Sequence, residues 1–115
     1  MQHEVKKISR IVDELTTFFL KEDTDEVGFR IKKSPDKTVI ELVDYNTHFN
    51  EESINEIRDV LNVQRQIEIE AYYWQLAGET DLGEELLLIG TMIDEAIVEK
   101  VDGNLNIKLI RIVMV

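Results

Sequence analysis

The chain has 115 residues, a length that suits one domain burying about two thirds of the surface of its unfolded chain. Its formal net charge of −11 argues against nucleic acid or an anionic membrane as a partner, because both favour clusters of Lys and Arg. Cysteine is absent, which excludes disulfides and thiolate metal sites, and no apolar run approaches the roughly 20 residues that span a bilayer. We therefore expect a cytoplasmic protein.

The first predicted element is a helix over residues 5–20. Its apolar residues recur at helical spacing and are Val5, Ile8, Ile11, Val12, Leu15, Phe18 and Phe19. They form one broad stripe that is suited to burial. Glu14 lies at the edge of that stripe, three residues after Ile11 and four before Phe18.

Two strands joined by a tight turn are predicted next. In the first strand, apolar residues alternate with polar ones, and they are Val27, Phe29 and Ile31. Residues 34–37 form the turn, with Pro35 in its second position. The second strand covers residues 38–44. Asp44 shares a face with its apolar residues, so the strand points an acidic group inward at its end.

The middle of the chain predicts two further helices. Asn50 is suited to cap the first one, since its side chain can accept a hydrogen bond from the first helical turn. The second covers residues 63–76, and Gly78 suits its end. Trp74 and the two tyrosines before it fit either a core or a contact between subunits.

The last third predicts one more helix and a second hairpin. Thr80 or Asp81 can cap the helix, which carries the apolar run 86–89. The hairpin covers residues 95–113, and its turn is the Asp-Gly-Asn group at 102–104, where positive φ is tolerated. The predicted fold is an α/β (α+β) sandwich of two layers. A mixed sheet of about four strands, arranged as two hairpins, carries helices on one face.

This order of elements and the short motifs in it resemble the GHKL (histidine-kinase-like) ATPase fold, closest to the anti-sigma-factor serine kinases. Three segments of the last third carry the resemblance, at residues 83–89, 92–95 and 102–109. The resemblance covers nearly the whole chain. It implies a single GHKL-like (Bergerat-like) domain over residues 1–115 that lacks the family's variable N-terminal strands.

The resemblance also implies which residues stand in the nucleotide site. The family's first helix carries a Glu that acts as base and, four residues on, an Asn that binds magnesium; Glu14 and Phe18 occupy these places. In the family's Asp-x-Gly-x-Gly motif the aspartate holds the adenine amino group. Asp44 matches that aspartate, whereas Asn46 and His48 stand where the glycines belong.

At the helix start that receives phosphate in the family, Gly83 is kept and Glu85 replaces a second glycine. A carboxylate and a phosphate charge about 4 Å apart repel by roughly 4 kcal/mol at an effective dielectric near 20. Phe18 cannot coordinate magnesium, which demands oxygen ligands. His3 and His48 lack the paired spacing of a metal site. We therefore expect no metal site and no cofactor.

Three functional interpretations follow. The favoured one is a diverged, inactive GHKL module, a pseudo-kinase that acts in signal transduction or partner switching by binding another protein, such as a regulator. The second is an active serine kinase of the anti-sigma type that binds Mg-ATP, with Glu14 as base and Asp44 on adenine. The third is an unrelated acidic domain that forms a homodimer through helices around Trp74. The residues alone also fit a purely structural interpretation. Asp44 then ends its strand and hydrogen-bonds the next turn, and Glu14 lies in solvent at the edge of its helix.

Overall fold

The computed structural model describes residues 2–63 and 84–113 and contains the following elements in those ranges. The helices are α1 (Gln2–Lys21), α2 (Glu51–Leu61) and α3 (Glu84–Gly90). The strands are β1 (Glu26–Lys33), β2 (Lys37–Tyr45), β3 (Glu95–Val101) and β4 (Asn104–Ile112). None of the helices in the described ranges is long and apolar enough to cross a membrane.

The predicted first helix, both hairpins and the helix after Asn50 are confirmed. The predicted helix at 63–76, apart from Val63, lies outside the described residues. So do its end at Gly78, the aromatic residues around Trp74 and the capping pair at 80–81.

Local hydrogen bonds explain where several elements begin and end. Asn50 Oδ1 accepts a hydrogen bond of 2.8 Å from the Ser53 amide, so it caps α2 as predicted. In the β1–β2 turn the Ser34 amide donates to the Lys37 carbonyl over 2.9 Å. Asp102 and Gly103 have φ values of 53° and 83°, the left-handed backbone that a tight hairpin turn requires.

The strands form one open sheet of four in the order β1-β2-β4-β3. The α+β class and the two hairpins in a single sheet are confirmed. Each neighbouring pair is antiparallel, however, so the sheet is not mixed as predicted. The helical connection does bring β3 back in the same direction as β2, but β4 lies between them and separates the two parallel strands.

One face of the sheet forms the core together with all three described helices. The buried apolar residues on this face come from alternate positions of the strands, as in Ile40, Leu42, Ala96, Val98, Leu105, Ile107 and Leu109. The helices contribute Ile11, Leu15, Phe18, Phe19, Ile54, Ile57, Val60, Leu61, Leu86, Leu87 and Ile89 to the same cluster. The described helices therefore cover a single face, and the other face, with Glu41 and Lys108 at its centre, has no described helix over it.

The outer edge of β3 is occupied by two side chains from α2 and its end. Asn62 donates from Nδ2 to the Ala96 carbonyl and accepts from the Ala96 amide at Oδ1, each over 3.0 Å. Arg58 donates from Nη2 to the Val98 carbonyl over 2.6 Å. These side chains replace the backbone partners that an adjacent strand would provide.

Gly90 lies where α3 passes the backbone of α2, and replacing it tests this contact. A Cβ added there would lie 2.6 Å from the Val60 carbonyl oxygen and 3.0 Å from Val63 Cγ1. Because backbone must then shift, Gly90→Ala is expected to lower the free energy of unfolding by about 1–3 kcal/mol, measured from urea denaturation.

The matched control is Gly28→Ala. Its added Cβ would first meet the Tyr45 ring at 3.4 Å, an ordinary contact. We expect this variant to lose no stability, because it also restricts the unfolded chain. Equal stability of the two variants would contradict the proposed close approach of α3 to α2.

Candidate functional site

Phe18 lies in a cluster of three phenyl rings. Its ring stacks on Phe49, with centroids 6.0 Å apart and planes inclined by 8°. Phe19 meets both rings edge-on, at 5.1 Å from Phe18 and 5.9 Å from Phe49. The apolar stripe of α1 supplies two of these rings, and the loop between β2 and α2 supplies the third. Phe18 is only 2% exposed, so this position holds a packed hydrocarbon and no metal ligand.

Asp44 lies at the end of β2 on the core face of the sheet, as its position in the alternation predicts. It is 1% exposed, and its Oδ1 has no hydrogen-bond partner among the described residues. Burial raises the pKa of Asp44 above its ordinary value, against smaller lowering effects of Thr47 and His48. This carboxyl group is therefore costly to ionise where it lies.

The two residues that replace the glycines of the family motif both contact Asp25. Asn46 donates from Nδ2 to Asp25 Oδ2 over 2.9 Å, and His48 Nε2 lies 3.3 Å from Asp25 Oδ1. These contacts hold the pKa of Asp25 below its ordinary value. Asn46 has a φ of 53°, so it adopts the left-handed conformation that glycine favours, whereas His48 does not.

The same loop is attached to the second hairpin. The Asn46 amide donates to Asn104 Oδ1 over 2.9 Å, and the Thr47 amide donates to the Gly103 carbonyl over 3.0 Å. These bonds continue the β2–β4 pairing beyond Tyr45, where β2 ends. The backbone next to Asp44 is thus fixed from two sides.

Glu85 lies in the first turn of α3 and faces the end of α1. Its Oε2 is 3.1 Å from Lys21 Nζ, and its side chain is 15% exposed. Its Oε1 is buried without a hydrogen-bond partner among the described residues. Glu14, the other acidic residue of the predicted site, forms an ion pair on its own helix: its Oε2 lies 2.7 Å from Arg10 Nε. Gly83 lies outside the described residues.

The structure brings Phe18, Asp44, Asn46 and His48 into one region, where the described side chains contact each other and their neighbours. Phe18 stacks on Phe49, and the Phe49 amide donates to the Thr47 hydroxyl oxygen over 3.3 Å, in the loop that follows Asp44. A surface depression of about 180 Å³ lies nearby, and it is lined by Glu22, Asp23, His48 and Phe49. Within residues 2–63 and 84–113 no three His, Cys, Asp or Glu side chains form a group that could hold a metal ion.

Three residues of this region were not predicted from the sequence. Asp25 accepts from Asn46 and contacts His48, yet it is separated from them by more than twenty residues and belongs to no motif. Lys21, the last residue of α1, supplies the cation for Glu85. For Phe49, its position directly after His48 is the only available signal, because an aromatic residue before a capped helix often packs inward.

Comparison with known proteins does not assign this geometry to a family. Neither the models of known families nor the curated proteins or solved structures give a match to the chain. The GHKL resemblance of the motifs around Asp44 therefore stays a prediction from the sequence.

The raised pKa of Asp44 predicts how stability depends on pH. A carboxyl group whose pKa is higher in the folded state stabilises the fold below its unfolded pKa, and that contribution is lost as the pH rises through the folded value. Asp44→Asn removes the group that must be ionised. At pH 7 we expect its midpoint in urea to exceed that of the wild type, with the difference closing as the pH falls towards 3.8.

Asp25→Asn is the matched control, since the pKa of Asp25 is lowered, chiefly by the hydrogen bond from Asn46. The sign is then opposite: the variant is less stable at neutral pH, and its deficit disappears as the pH falls through the lowered pKa. A pH-independent effect of Asp44→Asn would show that ionisation of this buried group does not limit stability.

Phe18→Ala tests whether this ring is part of the core. Truncating a buried phenyl ring costs about 3–5 kcal/mol of unfolding free energy, because the cavity left behind cannot collapse fully. Leu20→Ala on the same helix is the control, since Leu20 is 69% exposed and its truncation should change stability by about 0.5 kcal/mol or less. Similar small losses in both variants, measured in urea, would place the Phe18 ring outside the core.

Proposed function

We propose that this chain is a diverged GHKL-type module that binds another protein and does not turn over ATP. The packing of Phe18 carries this proposal. At the place where the resemblance expects a magnesium ligand, the side chain is a phenyl ring that is 2% exposed and stacked on Phe49. A ring in this position supplies no oxygen to a hard cation and fills the space beside it.

The state of the two acidic residues supports the same proposal. Adenine recognition requires a carboxylate that a ligand can reach, and Asp44 is 1% exposed with a raised pKa. Glu85 lies at the start of α3 with its Oε2 3.1 Å from Lys21 Nζ, where a phosphate would meet a carboxylate. Phe18, Asp44 and Glu85 would thus weaken the binding of the magnesium ion, the adenine group and the phosphates, respectively.

A protein partner with a basic surface fits the charge of the chain. The solvent face of α2 carries only acidic charge, from the exposed Glu51, Glu52, Glu56 and Asp59. Its one basic residue, Arg58, points to the Val98 carbonyl of β3 instead. With a net charge of −11, long-range attraction accelerates encounters with a basic regulator and disfavours acidic partners. Partner switching in signal transduction is the role we infer.

One observation favours the alternative, an active serine kinase of the anti-sigma type. Asp44 Oδ1 is buried without a partner among the described residues, and the amino group of adenine would satisfy it. That function needs the Phe18–Phe49 stack to open and Glu85 to leave the phosphate position. Glu14 would have to act as base although it is ion-paired with Arg10.

Thermal unfolding with and without Mg-ATP separates the two functions. At 100 times its Kd a ligand stabilises the folded state by about 2.7 kcal/mol, which raises the Tm of a domain of this size by many degrees. We expect no shift at millimolar Mg-ATP. A rise of several degrees that Asp44→Asn abolishes would overturn the proposal and support the kinase.

A second experiment tests directly whether the chain binds another protein. The immobilised chain is used to capture proteins from the native cell, and each candidate is then purified and titrated by calorimetry without nucleotide. Saturable binding to a basic protein that persists without Mg-ATP is the expected result. Binding that requires Mg-ATP, or transfer of phosphate to the captured protein, would contradict it.

A further inference from the structure

The edge strand β1 is only partly covered on the core face of the sheet. Phe29 and Ile31 lie opposite Leu42 and Ile40 of β2, so they point to the same face as these core residues. Leu42 and Ile40 are each 1% exposed, whereas Phe29 is 37% and Ile31 47% exposed. The described helices therefore end short of β1 and leave two large apolar side chains in solvent.

A groove between α1 and β1 extends this apolar surface. It has a volume of about 200 Å³, and Leu20 and Phe29 both line it. Leu20 is 69% exposed, although it belongs to a helix whose other face is packed in the core. The open surface thus runs from the end of α1 to the edge of the sheet.

The two edges of the sheet differ in their backbone groups. On β3, the Ala96 and Val98 edge groups are bonded by Asn62 and Arg58. Among residues 2–63 and 84–113, β1 pairs with β2 alone, and its opposite edge faces no described strand. A row of open amides and carbonyls is a template for another strand.

In one antiparallel register β1 faces a second copy of itself without an unfavourable pair. A two-fold axis pairs residues that share a face of the sheet. With the axis at Phe29, this residue faces its own copy, and Val27 faces Ile31 on the apolar side. On the other side of the sheet Glu26 faces Lys32, and symmetry makes this pair of opposite charges occur twice.

The neighbouring registers fit less well. An axis at Arg30 would place two guanidinium groups directly opposite each other, which is destabilising. An axis at Gly28 would pair Glu26 with Arg30 and Val27 with Phe29. It would also place Ile31 opposite Asp25, an apolar side chain against a carboxylate that already bonds Asn46. Of these three registers, only the one centred on Phe29 avoids both opposed like charges and an apolar side chain against a carboxylate.

We propose that a second copy of this chain pairs with β1 edge to edge, antiparallel, with Phe29 at the two-fold axis. The four-stranded sheets of the two copies then form one continuous sheet. The pairing covers Phe29, Ile31 and the open backbone edge together. Basic residues commonly protect a strand edge, but here Lys32 meets an acid of the second copy. Self-association needs neither a nucleotide nor another protein, so it goes beyond the proposed function.

Single cysteine variants test the register directly, because the chain has no cysteine of its own. Directly opposed residues in an antiparallel pair have Cα atoms about 4.5–5.5 Å apart, within reach of a disulfide. Phe29→Cys should therefore form a disulfide dimer under mild oxidation, read on a non-reducing gel. Ile31→Cys is the matched control, since residue 31 faces residue 27 and should cross-link at least tenfold more slowly. The double variant Val27→Cys/Ile31→Cys should cross-link again.

Charge reversal tests the pairing without oxidation. Glu26→Lys and Lys32→Glu each create two like-charge pairs in a homodimer, which should weaken self-association about tenfold. In a 1:1 mixture of the two variants every facing pair is opposite again, so a heterodimer should form at near wild-type affinity. Sedimentation equilibrium at about 0.15 M salt measures this. Urea midpoints of each variant monitor the fold, because Lys32 also lies 3.8 Å from Glu41.

Each outcome decides the proposal. A wild-type chain that is monomeric at several hundred micromolar overturns it. Equal cross-linking of Phe29→Cys and Ile31→Cys indicates random collision or another interface and also overturns it. If neither charge reversal changes the affinity of the dimer, the dimer forms through a different surface, which also overturns the proposal. Preferential cross-linking at residue 29 together with recovery in the mixture supports it.

Discussion

The pairing of β2 with β4 is the contact on which the rest of this structure depends. It joins two hairpins that lie far apart in the sequence, with Lys37 opposite Ile112 at one end and Asp44 opposite Leu105 at the other. Each hairpin alone presents one apolar face and cannot bury it, since an isolated two-stranded sheet is marginally stable in water. Together the four strands make a surface wide enough for the helices to cover.

The same pairing determines the character of the loop after β2. Because Gly103 and Asn104 bond the backbone of Thr47 and Asn46, the loop cannot open without breaking the end of the sheet. Asn46 and His48 use their polar groups within the protein, on Asp25, whereas Asp44 Oδ1 keeps no partner among the described residues. The end of β2 and the loop after it are therefore held in one conformation by contacts from the second hairpin.

Features that depend on neighbouring residues could be predicted from the sequence, and features that depend on distant contacts could not. The stripe of α1, the cap at Asn50 and the turn at Asp102 are local, so spacing and residue type identify them. The inward direction of Asp44 follows from the period of a strand, but its burial without a partner does not. The antiparallel pairing throughout the sheet cannot be predicted for the same reason, because no local pattern indicates that β4 lies between β2 and β3.

The side chains on the outer edge of β3 limit how far strands can be added to this sheet. Asn62 and Arg58 already occupy the edge groups of Ala96 and Val98. A strand arriving there would have to displace charged and amide groups that cost free energy to leave unbonded. Growth in that direction is therefore blocked, and an open-ended fibre of stacked copies is disfavoured. If copies pair through β1 as proposed, the bonded edge of β3 ends the assembly at a closed pair.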